Sequence, residues 1–171
     1  MIRLLKKTTL MAAVLCGCAA VNAETINGAG ASFPGPVYNA WTYAYNKVNS
    51  AKDQFNYQSI GSGAGVSQLK SGTIDFAGSD DPVKEKDLVQ HELLQFPMLV
   101  GGIVPVVNLP GIASDTLKLD GATLAAIFLG DIKRWNDPAI VRQNPGLRLP
   151  NQRITVVRRS DGSGTTWIFT N

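Results

Sequence analysis

The sequence predicts an α/β protein built on a largely parallel sheet. Strand-like apolar runs alternate with helical patterns along the chain. Four of those runs end in a turn rich in glycine and serine, at which a helix begins. The hydrophobic content of 44% supports a packed core rather than disorder. Because ligands of parallel α/β sheets gather outside the carboxyl ends of the strands, we expect the four turns to converge on one place.

Residues 1–23 are predicted to be a secretory signal. They begin with three basic side chains, at Arg3, Lys6 and Lys7, and continue through an apolar stretch to small residues ending at Ala23. The stretch is too short and wrongly flanked for a membrane span. Cleavage after Ala23 would leave a mature chain of residues 24–171. A glycine before Cys18 leaves a lipid anchor at that cysteine as the alternative.

Cysteine content and charge limit the function of the mature chain. Both cysteines, Cys16 and Cys18, fall within the predicted signal, so no disulfide or thiol chemistry is expected. The signal also contains three of the 16 basic residues, which leaves 13 basic and 13 acidic residues in the mature chain. A neutral exported domain without a basic run is not expected to bind nucleic acid, where phosphate neutralisation dominates affinity.

The individual elements follow from local patterns. A short strand starts at Thr25, and Pro36 opens a helix whose apolar residues recur at helical spacing as far as Val48. Further strands are predicted at 54–60, 74–77, 96–109 and 154–157, and further helices at 66–70, 84–93, 124–129, 138–143 and from Trp167 onward. The run 96–109 is long for one strand. Its glycine pair and proline indicate a bend where the chain passes between two parts of the protein.

The first two turns offer hydrogen-bond donors. In the first turn these are the Ser32 hydroxyl and the Phe33 amide; the alternative is that Ser32 caps the following helix. The second turn, residues 61–65, contains Ser62 but lacks the lysine of a nucleotide-binding P-loop. A tight turn without a ligand is the alternative there. Neither turn alone decides between the two interpretations.

The third turn carries Asp80, which makes the predicted chemistry selective. A carboxylate repels an anion unless that anion still has a proton to donate. Phosphate at neutral pH has such a proton and sulfate has none, so a site of donors plus one carboxylate would accept phosphate and reject sulfate. The alternative is an acidic helix start, an interpretation that fits Asp81 better than Asp80.

The fourth turn predicts an oxyanion site most directly. Arg159 supplies a planar cationic fork, and Ser163, Gly164 and Thr165 supply small hydroxyl and N–H donors at a helix start. Asp161 is placed to hold the guanidinium. An ordinary capped helix is the alternative, but such a helix has no need of an arginine beside three small donors.

A different class, a secreted hydrolase or phosphatase with Ser62 or Ser163 as nucleophile, finds less support. Neither serine lies in a Gly-x-Ser-x-Gly elbow. The single histidine, His91, falls on a charged helix where a surface position is expected. No histidine, cysteine and aspartate cluster has metal-ligand spacing. We therefore expect a protein that is not an enzyme and needs neither metal nor cofactor.

Taken together, these motifs resemble the substrate-binding proteins of phosphate-specific ABC transporters. The matching segments are Gly28–Pro34, Gly61–Gly65, Asp75–Asp80 and Arg158–Thr165. The resemblance implies a type II periplasmic binding protein, a monomer with two lobes that closes over one phosphate and delivers it to permease subunits in the inner membrane. It implies residues 24–100 as the first part of lobe 1 and residues 101–171 as an incomplete first part of lobe 2. A surface phosphate-binding protein without a transporter remains the alternative.

The resemblance also implies a role for each candidate residue. The phosphate donors would be Ser32, Phe33, Ser62, Arg159, Ser163, Gly164 and Thr165. Asp80 falls on the position that accepts the phosphate proton, and Asp161 on the position that pairs with the arginine.

The sequence departs from the family pattern in three places. Ser32 stands where threonine is common, and Gly63-Ala64 replaces a serine and a glycine, which removes one donor. The chain also stops soon after the fourth turn, whereas family members continue. We therefore expect a fragment with unpaired strand edges and exposed apolar surface. Tight phosphate binding by residues 24–171, measured by calorimetry, would contradict that expectation.

Overall fold

The first half of the chain forms a three-stranded parallel sheet. The structure is a computed structural model that describes residues 24–49 and 53–171, so the predicted signal and Cys18 lie outside the described residues. The strands are β1 (Thr25–Gly30), β2 (Gln54–Ser59) and β3 (Phe76–Gly78), in the order β2-β1-β3. β1 pairs with β2 from Thr25 opposite Gln54, and with β3 from Gly28 opposite Phe76. The predicted parallel α/β class is therefore confirmed.

Three helices connect and follow these strands: α1 (Gly35–Val48), α2 (Ser62–Lys70) and α3 (Glu85–Gln90). The Asn46 side chain fixes α1 to β2, because it both donates to the carbonyl and accepts from the amide of Phe55, at 2.8 and 2.9 Å. A salt bridge of 2.6 Å joins Lys70 at the end of α2 to Asp87 on α3. These contacts hold α1 against β2 and α3 against α2.

A glycine lets an aromatic ring pack on the central strand. A Cβ atom on Gly28 would lie 2.0 Å from the ring of Phe76, so no larger residue fits beneath that ring. The ring of Tyr57, on β2, stacks on the ring of Phe76, on β3, with 6.0 Å between the ring centres. The sheet therefore gains its apolar contacts from side chains of the two outer strands.

The second half of the chain contains a small apolar core, formed within residues 117–154. Its helices are α4 (Gly121–Leu129), α5 (Pro138–Gln143) and α6 (Gly164–Thr170). Three isoleucines form the buried centre: Ile127, Ile132 and Ile140. The helix ends are capped as the sequence chemistry requires, since Asp120 accepts from the Thr123 amide at 2.7 Å and Asp137 from the Ala139 amide at 2.9 Å.

Two predicted strands do not form. Within the described residues, the backbone of 96–108 makes no hydrogen bond, and side chains such as Val100 and Val106 are 100% and 90% exposed. The run 154–157 has a single backbone bond, from the Ile154 amide to the Lys133 carbonyl at 2.9 Å, beside an isolated bridge between Arg134 and Arg153. Both runs have strand-forming residues, but a strand requires a paired neighbour to complete its ladder.

Several helix boundaries also differ from the prediction. α2 begins at Ser62 rather than at residue 66, and α3 is shorter than the predicted 84–93. α4 begins at Gly121 rather than at residue 124, and α5 has the predicted bounds. The early start of α2 matters most, because it places Ser62 in the first turn of a helix.

The expected exposed apolar surface is present. β2 and β3 are both edge strands of the three-stranded sheet, and Trp41 on α1 is 48% exposed. An apolar cavity of about 870 Å³ lies between β3 and residues 92–99. No helix in the described ranges is long and apolar enough to cross a membrane. The division of the chain at residue 100 remains a prediction.

Candidate functional site

The turns that follow the three strands lie at one edge of the sheet, and the fourth turn packs against them. Because the strands are parallel, Ser32, Ser62 and Asp80 all follow carboxyl ends at the same edge. The Gly63 amide at the start of α2 donates to the Gly162 carbonyl at 3.2 Å. This bond joins the second and fourth turns, which are about a hundred residues apart in the sequence.

Asp80 connects the third turn to its neighbours. One of its carboxylate oxygens, Oδ2, accepts from the Thr165 hydroxyl at 3.1 Å, and its amide donates to the Ser62 hydroxyl at 3.3 Å. The other oxygen, Oδ1, is shielded from solvent and has no hydrogen-bond partner among the described residues. A buried carboxylate oxygen without a donor is costly, so Oδ1 is an acceptor suited to a ligand that carries a proton.

Close packing of glycines brings these groups together. A Cβ atom on Gly164, the first residue of α6, would lie 2.5 Å from the Ser62 hydroxyl and 2.7 Å from Cβ of Asp80. Gly162 and Gly63 approach each other so closely that a Cβ on either would lie 3.0 Å from the other's Cα. The turns can therefore meet only because these positions lack side chains.

Arg159 reaches the same edge in a fixed orientation. Its Nε donates to Oδ1 of Asp161 at 2.8 Å, and a second guanidinium nitrogen bonds the other oxygen of Asp161. A Cβ on Gly61 would lie 2.8 Å from the guanidinium, which places it beside the second turn. The hydrogen bonds to Asp161 raise the pKa of Arg159, and they lower the pKa of the Asp161 carboxyl. The pair therefore stays ionised and bidentate.

The remaining candidates, Ser163, Ser32 and Phe33, differ in their contacts with the site residues described above. Ser163 is the N-cap of α6, because its hydroxyl oxygen accepts from the Thr166 amide at 3.2 Å, and its own hydrogen stays available for donation. Ser32 and Phe33 make no hydrogen bond to the other candidates among the described residues. Their amides find no acceptor there either, so both amides are available to a ligand.

Two of the alternative structural roles are wrong. Ser32 does not cap α1, since the N-cap position is Pro34 and no side chain caps that helix end. Asp81 does not lie in the first turn of a helix, because α3 begins only at Glu85. Among the candidate site residues, only Ser163 caps a helix.

A family model described as the PBP superfamily domain matches residues 19–171. The chain belongs to this family. The match includes every candidate residue and both halves of the described structure. As in the sequence-based expectation, the PBP chain is an α/β protein with a parallel sheet.

Several relatives of this PBP chain carry the name phosphate-binding protein PstS. That of Pasteurella multocida is 55% identical over 96% of this chain and 48% of its own length. That of Haemophilus influenzae is 58% identical over 87% of this chain and 44% of its own length. A solved structure of an ABC-type phosphate transport receptor from Vibrio cholerae aligns with 84% of this chain and 53% of its own, at 21% identity and a TM-score of 0.47. The chain thus spans about half the length of the curated relatives it matches.

Sequence reasoning missed one residue of the PBP site, Tyr57. Its side chain is 6% exposed and lies directly below the turns, with its hydroxyl donating to the Ala31 carbonyl at 2.8 Å. Burial raises the pKa of Tyr57, and the nearby Tyr38 and Asp80 raise it further. Tyr57 lies on β2 shortly before the second turn, but its hydroxyl contacts Ala31 and Gly78, which are distant in sequence, so no local pattern indicated a role.

Within the described residues, no three histidine, cysteine, aspartate or glutamate side chains lie close enough together to bind a metal ion. What the cluster offers instead is one carboxylate acceptor among hydroxyl, amide and guanidinium donors. That combination suits an oxyanion that retains a proton.

Proposed function

We propose that this protein binds inorganic phosphate reversibly and delivers it, unaltered, to the permease of an ABC transporter. It would act in the periplasm as a monomer, without a cofactor. Its phosphate donors would be Ser32, Phe33, Ser62, Arg159, Ser163, Gly164 and Thr165, with Asp161 holding the arginine. The relatives named phosphate-binding protein PstS support this proposal.

The observation that carries the proposal is the state of Asp80. Its Oδ1 is buried without a donor, while Oδ2 and the amide are already bonded to Thr165 and Ser62. A phosphate at this edge would donate its P–OH to Oδ1 and accept from the surrounding donors. Sulfate has no proton to donate, so its oxygens would face the carboxylate directly.

Reversible binding suits the site better than hydrolysis. A serine nucleophile needs a base within hydrogen-bond reach. The Ser62 hydroxyl accepts from the Asp80 amide, and that of Ser163 accepts from the Thr166 amide. Among the described residues, no hydrogen bond joins either serine to His91, which is the C-cap residue of α3.

The substitution Asp80→Asn tests the proposal by calorimetric titration with phosphate and with sulfate at neutral pH. The asparagine amide can donate to a sulfate oxygen that carries no proton. We therefore expect the ratio of phosphate affinity to sulfate affinity to fall at least about tenfold, which corresponds to the cost of roughly one buried polar group without a partner. Asp81→Asn is the matched control. It removes the neighbouring carboxylate, which makes no hydrogen bond to a candidate site residue within the described chain.

Each result has a defined meaning. A wild-type protein that binds sulfate as well as phosphate would contradict the proposed selectivity. An unchanged affinity ratio in Asp80→Asn would contradict the role of Asp80 as proton acceptor. Because the test compares two ligands on one protein, it does not depend on how tight the binding is.

A further inference from the structure

Tyr57 lies where the ends of β1 and β3 meet beneath the candidate site. Its ring is held on two sides, by Tyr38 edge-on at 4.8 Å and by Phe76 stacked at 6.0 Å. Its hydroxyl donates to the carbonyl of Ala31, the residue after β1, at 2.8 Å. The ring contacts fix the direction of that hydrogen bond.

The same hydroxyl touches the end of β3. A Cβ on Gly78 would lie 2.4 Å from the Tyr57 hydroxyl, and the Ala31 amide donates to the Gly78 carbonyl at 2.8 Å. Ala31 immediately precedes Ser32, and Gly78 precedes Asp80 by two residues. One buried hydroxyl thus contacts both chain segments that lead into the site.

The planarity of the peptide bond transmits this contact to the site. The Ala31 carbonyl and the Ser32 N–H belong to one planar trans peptide, in which they point in opposite directions. Because the Ala31 carbonyl points toward Tyr57, the Ser32 N–H points away from Tyr57. The amides of Ser32 and Phe33 have no acceptor among the described residues.

We propose that Tyr57 is a positioning residue of the phosphate site: its hydroxyl orients the Ala31–Ser32 peptide so that the donors of Ser32 and Phe33 face the anion. This inference rests on the proposed function. In this role Tyr57 would act through the Ala31–Ser32 peptide and not through a contact with the anion. Because burial raises its pKa, the hydroxyl keeps its proton, and its ability to donate, at neutral pH.

The test compares Tyr57→Phe with Tyr43→Phe, a control on α1 whose side chain is 70% exposed. Phenylalanine keeps the ring contacts of Tyr57 and removes only the hydroxyl. We expect phosphate affinity, measured by calorimetry, to fall roughly fivefold in Tyr57→Phe, a factor typical of one neutral hydrogen bond. Tyr43→Phe should leave the affinity unchanged.

Two further measurements separate positioning from a general loss of stability. In a double-mutant cycle with Ser32→Ala, the Ser32 change should cost less affinity when Tyr57 is already phenylalanine, because the hydroxyl of Ser32 is then already misplaced. Amide hydrogen exchange without ligand should speed up at residues 31–33 in Tyr57→Phe, with β1 protection unchanged.

The outcomes distinguish this inference from the proposed function. Wild-type protein that binds no phosphate would overturn both. Wild-type binding with an unchanged Tyr57→Phe affinity would overturn only the role of Tyr57. An additive cycle together with uniformly faster exchange would also overturn it, because both results mean that Tyr57 acts only on overall stability.

Discussion

At the scale of single residues, the Arg159–Asp161 pair determines how positive charge is presented at the site. Two bonds from the guanidinium to one carboxylate fix the plane of the fork, although both side chains remain partly exposed. A free arginine would have to lose side-chain entropy on meeting an anion. The pairing therefore preorganises the cation while Asp161 moderates its charge.

Replacing Arg159 with lysine tests whether shape or charge matters. Arg159→Lys keeps the positive charge but loses the planar fork and its bidentate contact with Asp161. We expect phosphate affinity to fall about tenfold or more by calorimetry, in line with one lost charge-assisted hydrogen bond. Arg158→Lys is the matched control, since Arg158 is exposed on the chain next to it. Equal affinities for the two variants would mean that only net charge counts.

At the scale of elements, two helices that start with glycine make a natural comparison. Gly164 begins α6 against Ser62 and Asp80, whereas Gly121 begins α4 with nothing within 4 Å of the position its Cβ would take. Gly164→Ala must displace Ser62 or Asp80, and we expect a loss of phosphate affinity of about tenfold or more and a lower unfolding free energy, by roughly 1–3 kcal/mol.

Gly121→Ala provides the control for helix propensity. Alanine is the better helix former, and nothing obstructs its methyl group, so this change should raise the free energy of unfolding by up to about 1 kcal/mol. Phosphate affinity should not change. If Gly164→Ala behaves like Gly121→Ala in denaturant titrations and calorimetry, the close approach of α6 to Asp80 is not needed for binding.

The elements also show what the sequence can and cannot predict. β1, α1 and β2 were predicted close to their observed bounds because periodicity and turn residues act locally. Residues 96–109 and 154–157 have equally apolar sequences, yet no ladder partner pairs with them in the described chain. Pairing is a non-local property, so composition alone overestimated the sheet.

Some features of the candidate site could likewise be predicted from the sequence, and others could not. The meeting of Ser32, Ser62 and Asp80 at one edge was predictable because each follows a strand end in a parallel sheet. The fourth turn follows no strand in the described chain, and its candidates were recognised from an arginine beside small donors at a helix start. The glycine contacts at Gly63, Gly162 and Gly164, and the place of Tyr57 beneath the turns, depend on how distant segments pack. Glycine density at three of the turns was the one sequence signal for such close approach.

At the scale of the whole molecule, the candidate site draws on both halves of the chain. Ser62 and Asp80 come from the half that contains the sheet, while Arg159 and Thr165 come from the half that contains the isoleucine core and α6. Among the described residues, two hydrogen bonds join the halves at this point, from Thr165 to Asp80 and from Gly63 to Gly162, beside the close packing of the glycines. A ligand bonded to both halves would therefore add substantially to their coupling.

Phosphate should consequently make the two halves unfold together. At a ligand concentration of about 100 times Kd, binding adds roughly 2.7 kcal/mol to stability. Trp41 on α1 reports on the sheet half, and Trp135, packed against the isoleucine core, reports on the other. In single-tryptophan variants, with the other two tryptophans changed to phenylalanine, we expect phosphate to raise both fluorescence melting midpoints and bring them together. Sulfate should move neither midpoint, and a phosphate shift at only one reporter would mean that a single half holds the ligand.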